Sequence, residues 1–455
     1  MRPILIALAA LLFAGTTAAA QSPPEMVTAV EGGTLIDGTG AAPIADAVVI
    51  IKGGRIATVG RRGQVAIPAG ATIIRAEGRT ILPGLVDTHV HLRDWHMPMF
   101  LAWGVTTIAD IHNATGWSLE QRALLRSGAQ QGPRMFVSGS RVNGLPATGW
   151  PKEADGREAR NPSYVASPAE ARSYVRFLKA AGVDQVKVDS TISDDELEAV
   201  LDEARKAGLP VFGHTQDIRI AVGFGMKHME HLNTLARALL KQEGKAPVPG
   251  TPVESQMNPA LYPTIIPWLI EQGVYVDPTL YNSWLTADQL AALRPEIAAI
   301  AADPGLAFVP AEIKAAWMRG LNPRPGLPNV ARFLKEYSDA GGKVLVATDA
   351  QSHHVIPGWG MQAQMQMMVQ MGLAPMKVIQ GATLWGAQMM GQDRDYGSVE
   401  VGKAADLLII EGDPLADITA VKRVRIVIKD GEVMDTRYDP NWRTPVARPR
   451  GVLYP

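Results

Sequence analysis

The sequence predicts a TIM (β/α)8 barrel with a small β-sandwich domain built from both chain ends. Three observations predict it. Short apolar runs alternate with amphipathic helical stretches through the middle of the 455-residue chain. Eight of those runs have strand character, the number a TIM barrel needs. Strand-like segments separated by Gly turns occur near both ends and leave the barrel pattern between them.

Residues 1–20 read as a signal peptide. Arg2 supplies a positive start, residues 4–14 are almost unbroken apolar, and Ala18-Ala19-Ala20 precede Gln21. The apolar stretch falls short of the roughly 20 residues that span a bilayer. The expectation is a secreted or periplasmic protein with no membrane association after signal removal. Residues 21–80 and 395–437 would form the composite β-sandwich, with Asp430-Gly431 as a tight hairpin turn. Residues 81–394 would form the barrel, with strands at 85–90, 105–111, 134–138, 185–189, 210–213, 226–230, 274–277 and 343–347. Ser193 and Glu196 make a capping box for the helix before Gly208, and Ser167, Pro168 and Glu170 open the helix before it. Residues 139–167 and 284–329 are long connections, the kind that build a substrate pocket at an active rim. The methionines at 361, 365, 367, 368 and 371 have helical spacing and read as core packing. Residues 438–455 read as an irregular tail.

Composition narrows the function. The 44 basic and 45 acidic residues nearly cancel, which argues against nucleic acid as a partner. A small-molecule substrate fits better, and a homo-oligomer is compatible with it. The absence of cysteine excludes disulfides, thiolate zinc sites and cysteine nucleophiles.

The informative residues cluster at predicted strand ends, where a barrel of this class places its active site. His89 and His91 lie two apart on the first strand, so both imidazoles face one way and can grip one ion. Asp87 shares that face and could orient one of the rings. Lys187, His214, His231 and Asp349 end the fourth, fifth, sixth and eighth strands at intervals that suit βα units of roughly 30 residues, longer where a loop is inserted. Of His228 and His231, three apart, only one can face inward on a strand; pairing with Glu230 favours His231 and leaves His228 to helix packing or the surface. On its own, Lys187 could snorkel to solvent and Asp349 could cap a turn.

These motifs resemble the amidohydrolase superfamily over essentially the whole mature length. They are Pro83-Gly84-Leu85-Val86-Asp87-Thr88-His89-Val90-His91, Gly104-Val105-Thr106-Thr107, Lys187, His214, Glu230-His231 and Thr348-Asp349. The segment from Gly397 to Leu407 is similar to that of the imidazolonepropionase and dipeptidase-like branch. The resemblance implies two divalent metal ions, usually Zn2+. His89, His91 and Asp349 would hold the first ion and His214 and His231 the second, with carbamylated Lys187 bridging them. It also implies hydrolysis of a C–N bond by metal-activated water, with Asp349 as the catalytic proton carrier.

The chain departs from the dipeptidase-like pattern in two places. No Gly-Gly-His follows the third strand, and Gln362, Gln364 and Gln366 stand where the helix after the eighth would carry a glutamate. Both count against a dipeptide substrate. Arg141, Tyr281 and His353 are positional candidates for substrate binding. An esterase, lactonase or phosphotriesterase with the same ligands, or a non-catalytic metal-binding relative, stays open as an alternative.

Overall fold

The computed structural model describes residues 27–449 apart from 147, 150–160, 162, 284, 320–327 and 351–353. The segment read as a signal peptide lies outside the described residues, as does His353.

The terminal segments form one mixed sheet. Strands β1 (Val27–Leu35), β2 (Ile44–Lys52), β3 (Arg55–Arg61), β4 (Thr72–Arg75) and β5 (Arg79–Pro83) come from the N-terminal side. A single residue, Gly84, separates β5 from β6 (Leu85–Val90), the strand that carries the His-x-His pair. Hydrogen bonding in the sheet is continuous and does not divide into two separate layers. The reason is β1: beside β2 on one edge, it pairs β4 through residues 28–31 and β5 through residues 34–35 on the other.

The middle of the chain contains the eight expected strands, each close to its expected position. They are β6, β7 (Val105–Asp110), β8 (Arg134–Val137) and, after a short parallel pair β9 (Asn143–Gly144) and β10 (Tyr164–Val165), β11 (Val186–Val188), β12 (Val211–Gly213), β13 (His228–Glu230), β14 (Tyr275–Asp277) and β15 (Lys343–Val344). They pair in parallel as β6-β7-β8, β11-β12 and β13-β14-β15. Hydrogen bonds carry the order across two of the seams. Asp184 N donates to Val137 O (2.8 Å) between β8 and β11, and Asp349 N donates to His89 O (2.9 Å) where β15 meets β6. At the seam between β12 and β13 the rings of Phe212 and His228 meet at 4.9 Å. The helices between strands are capped as expected. Ser193 and Glu196 make a reciprocal capping box for Asp194–Ala207, and Gly208 (φ 66°) ends that helix in a left-handed conformation. The helix Trp359–Gln370 buries Met361, Met365, Met367 and Met368, so these methionines are core.

The C-terminal segment returns to the first sheet as β16 (Leu407–Glu411), β17 (Val424–Lys429) and β18 (Glu432–Val433). Strand β16 runs antiparallel to β5, with Ile409 opposite Ile81, so the two chain ends are joined directly. Asp430 (φ 48°) and Gly431 (φ 82°) both have positive φ, as a two-residue turn matching strand twist requires. Beyond Val433 the tail is irregular but packed: Trp442 meets Phe308 at 5.5 Å.

Candidate metal centre

The backbone brings His89, His91 and Asp349 together. His89 Nε2 and His91 Nε2 lie 3.4 Å and 3.3 Å from Asp349 Oδ1. All three side chains are buried, and they make a group whose ligand atoms converge closely enough to hold a metal ion. A second such group contains His89, Glu230 and His231. Glu230 is central there, although the sequence suggested it only as a neighbour of His231. It is fully buried, pairs with the Lys187 ammonium and lies 3.3 Å from His214 Nε2. The His214 ring in turn sits 5.0 Å from that of His231.

Two expectations about the sixth strand need correction. His228 is neither a surface nor a helix-packing residue: it is 2% exposed and shares the inward face with Glu230, two residues on. His231 also faces the site, because it lies one residue past the strand. Its left-handed backbone (φ 56°) frees it from the strand's alternation. Thr279 (φ 42°) and Asp349 (φ 53°) are turned in the same way beyond the next two strands. For residues other than glycine this conformation costs about 1–3 kcal/mol each, a strain that tends to collect at functional sites.

The groups that hold the ligands in place are mostly ones the sequence reading missed. His89 Nδ1 hydrogen-bonds Asp277 Oδ2 at 2.7 Å, which fixes the ring with Nε2 towards Asp349. Thr279 Oγ1 does the same for His231 Nδ1 at 2.6 Å. Asn282 Nδ2 donates to Asp349 Oδ2 at 2.7 Å and leaves Oδ1 facing the histidines. Asp277 ends the seventh strand, so the strand-end rule that selected Lys187 and His214 would have found it too. Asp87 does not orient an imidazole. It accepts from Thr348 Oγ1 (2.6 Å), Thr348 N (3.1 Å) and His89 N (3.3 Å), tying the eighth strand end to the first.

The substrate candidates divide. Arg141 pairs with Asp189 at 2.8 Å, beyond the end of β11. Tyr281 does not reach the centre; it is 2% exposed and packs on Trp359 at 5.6 Å, because the short helix Leu280–Ser283 presents Asn282 to Asp349 instead.

The donor set fits divalent cations. His89 Nε2, His214 Nε2, Glu230 Oε1 and Asp349 Oδ1 are buried without hydrogen-bond partners. Leaving such atoms unsatisfied is costly unless something binds them, and imidazole with carboxylate is a zinc-type donor set. The charge balance points the same way. Burial disfavours charged His89, yet Glu230 and Asp349, with the Asp277 hydrogen bond, outweigh it and raise its pKa to about 10. Burial likewise pushes the Asp349 carboxyl up, but His89 and His91 hold it well below the usual carboxylate range. Burial, by contrast, pushes His91, His214 and His231 down, towards the neutral imidazoles that a metal needs as ligands.

Comparison with known proteins agrees with this architecture. Residues 80–434 match the amidohydrolase family. The chain is 24% identical to the adenine deaminase of Rubrobacter xylanophilus over 421 residues, 89% of this chain but 56% of that protein. It thus spans little more than half the length of that relative. It is also 24% identical to the imidazolonepropionase of Pseudomonas entomophila over 400 residues, 83% of this chain and 90% of that one. Among solved structures, molinate hydrolase superposes with a TM-score of 0.68 at 25% identity, covering 90% of this chain and 95% of the other.

Proposed function

Because the chain belongs to the amidohydrolase family, we propose that it is a metal-dependent hydrolase of C–N bonds in a small-molecule amide, peptide-like or cyclic. The observation that carries the reading is the convergence of His89, His91 and Asp349, and of His89, Glu230 and His231, with His89 Nε2, Glu230 Oε1 and Asp349 Oδ1 left buried without hydrogen-bond partners. His89, His91 and Asp349 would hold one divalent ion, and His214 and His231 a second, with Lys187 as a carbamate between them. Bound ions, Zn2+ by the donor set, would supply an activated water and polarise the substrate carbonyl. Asp349 would accept a proton at Oδ1 and pass it to the leaving nitrogen, while Asn282 fixes its other oxygen. Asp277 holds the His89 tautomer throughout.

The same reading closes the eight strands into a barrel, with β6 beside β15. It also makes the protein secreted or periplasmic, on the apolar stretch after Arg2. Relatives that act on C–N bonds favour an amide over an ester substrate; the adenine deaminase and imidazolonepropionase are examples.

Elemental analysis of wild type and Lys187→Ala, together with native mass spectrometry, tests this. The expected result is two zinc-like ions per chain, with the mass of one carbon dioxide added, both falling in the variant. One ion, unaffected by the loss of Lys187, would overturn the carbamate bridge. A metal-loaded protein that cleaves esters and no amides would overturn the substrate class.

A further inference from the structure

The two halves of the centre share one spacing. His89 Nε2 and His91 Nε2 stand 3.4 Å and 3.3 Å from Asp349 Oδ1, and His214 Nε2 stands 3.3 Å from Glu230 Oε2. Asp349 Oδ1 and His214 Nε2 have no hydrogen-bond partner, so these close approaches are not hydrogen bonds. They have the spacing of neighbours on one ion instead. Two donors bound to tetrahedral zinc at about 2.0–2.1 Å lie roughly 3.3 Å apart. The Asp349 pairs mark the first ion in this way, and the Glu230 pair marks the second.

Glu230 also meets the other donors of that second ion. Its carboxylate, His231 and His89 offer ligand atoms that all lie within 4.8 Å of one another, and the His214 and His231 rings are 5.0 Å apart. Consecutive residues on a strand face opposite ways, so Glu230 and His231 could not normally serve one ion. The left-handed backbone of His231 (φ 56°) removes that obstacle. Glu230 is 0% exposed, and its Oε1 is buried without a hydrogen-bond partner; His228 Nδ1, at 3.9 Å, is out of range. Oε2 accepts from Lys187 Nζ, which brings beside it the positive charge that a buried carboxylate requires. A cation between His214 and His231 would bring the same charge. Without Glu230, the second ion would have only neutral imidazoles of its own, whereas the first has Asp349.

We propose that Glu230 is a ligand of the second ion, so that each ion is held by two histidines and one carboxylate of its own. This rests on the reading above for the presence of two ions, and on neither the carbamate nor the substrate class. Glu230 is then the counterpart of Asp349 on the sixth strand.

The test is calorimetric titration of the metal-free full chain with Zn2+, read beside elemental analysis and the visible absorption of the Co2+-loaded protein. Wild type, Glu230→Gln and Glu230→Asp are compared. Removing a supporting partner costs about tenfold to a hundredfold in metal affinity, so losing a ligand should weaken the second ion roughly a hundredfold or more in Glu230→Gln. The first ion should bind as in wild type, and only the absorption of the second Co2+ should change. Glu230→Asp keeps a carboxylate and should recover part of the loss. If Glu230→Gln does not fold without metal, Glu230→Asp decides alone: selective weakening of the second ion upholds the proposal, and wild-type affinity for both overturns it. Fewer than two ions in wild type, equal weakening of both ions, or two ions at wild-type affinity in Glu230→Gln would also overturn it. Selective loss of the second ion from a protein that carries no added carbon dioxide, or cleaves no amide, would uphold Glu230 as a ligand and overturn the carbamate or the hydrolase reading instead.

Discussion

Asp277 offers the sharpest test of how the centre is held. Replacing it with asparagine keeps the shape and an oxygen acceptor for His89 Nδ1 but removes the charge. Their hydrogen bond is 2.7 Å long, between side chains 1% and 0% exposed, so neither group has water as an alternative partner. A charge-assisted bond of this kind contributes about 1.5–3 kcal/mol. If that energy serves to present His89 Nε2 to the ion, metal affinity falls roughly tenfold to a hundredfold, the range seen when such supporting partners are removed. The assay is competition for Zn2+ between the protein and a chromophoric chelator, with denaturant unfolding of the metal-free protein as a control. Affinity equal to wild type would refute the argument, and so would a loss matched by equal destabilisation of the metal-free fold.

Three further outcomes are expected. Gly213→Ala should destabilise the protein by about 1–3 kcal/mol or more and lower its metal content, read by thermal unfolding and elemental analysis; a Cβ there would lie 2.1 Å from Val188 O at φ 137°, displacing the strand that carries His214. Asn282→Ala should lower kcat about tenfold, typical of a lost positioning contact, and leave bound metal largely intact, because it frees Asp349 Oδ2 to rotate without removing a ligand. Ser193→Ala should cost about 1 kcal/mol in denaturant unfolding with activity unchanged, since it removes only one half of a capping box and leaves the Glu196 carboxylate on Ser193 N.

Much of the architecture was legible because it depends on local pattern. The eight strands, the Ser193–Glu196 capping box and the Asp430-Gly431 turn are specified by residues close together in sequence. The histidine pair on β6 was legible for the same reason. What escaped depends on long-range pairing. Nothing near Asp277 indicates that its partner is His89, and nothing near Lys187 points to Glu230. That His228 and His231 both face inward could not be read from strand alternation, because a left-handed residue at His231 breaks the very period on which that argument stands. Tyr281 looked suitable by its position, but helix phase gave the place to Asn282. The tail was read as irregular, which it is, but composition does not reveal where an irregular segment docks.

The joining of the chain ends also bears on when the protein can become active. Strand β6 hangs from β5 by one residue, and β5 is flanked by β1 on one side and β16 on the other. A chain still emerging from the ribosome has made both histidines of β6 long before it has made β16. Until then the strand is seated from one edge only. Contacts so distant in sequence form slowly. Assembly of the metal pocket is therefore timed by synthesis of the last tenth or so of the chain, and a premature stop there would release a protein with all of its ligands present and no settled frame to hold them.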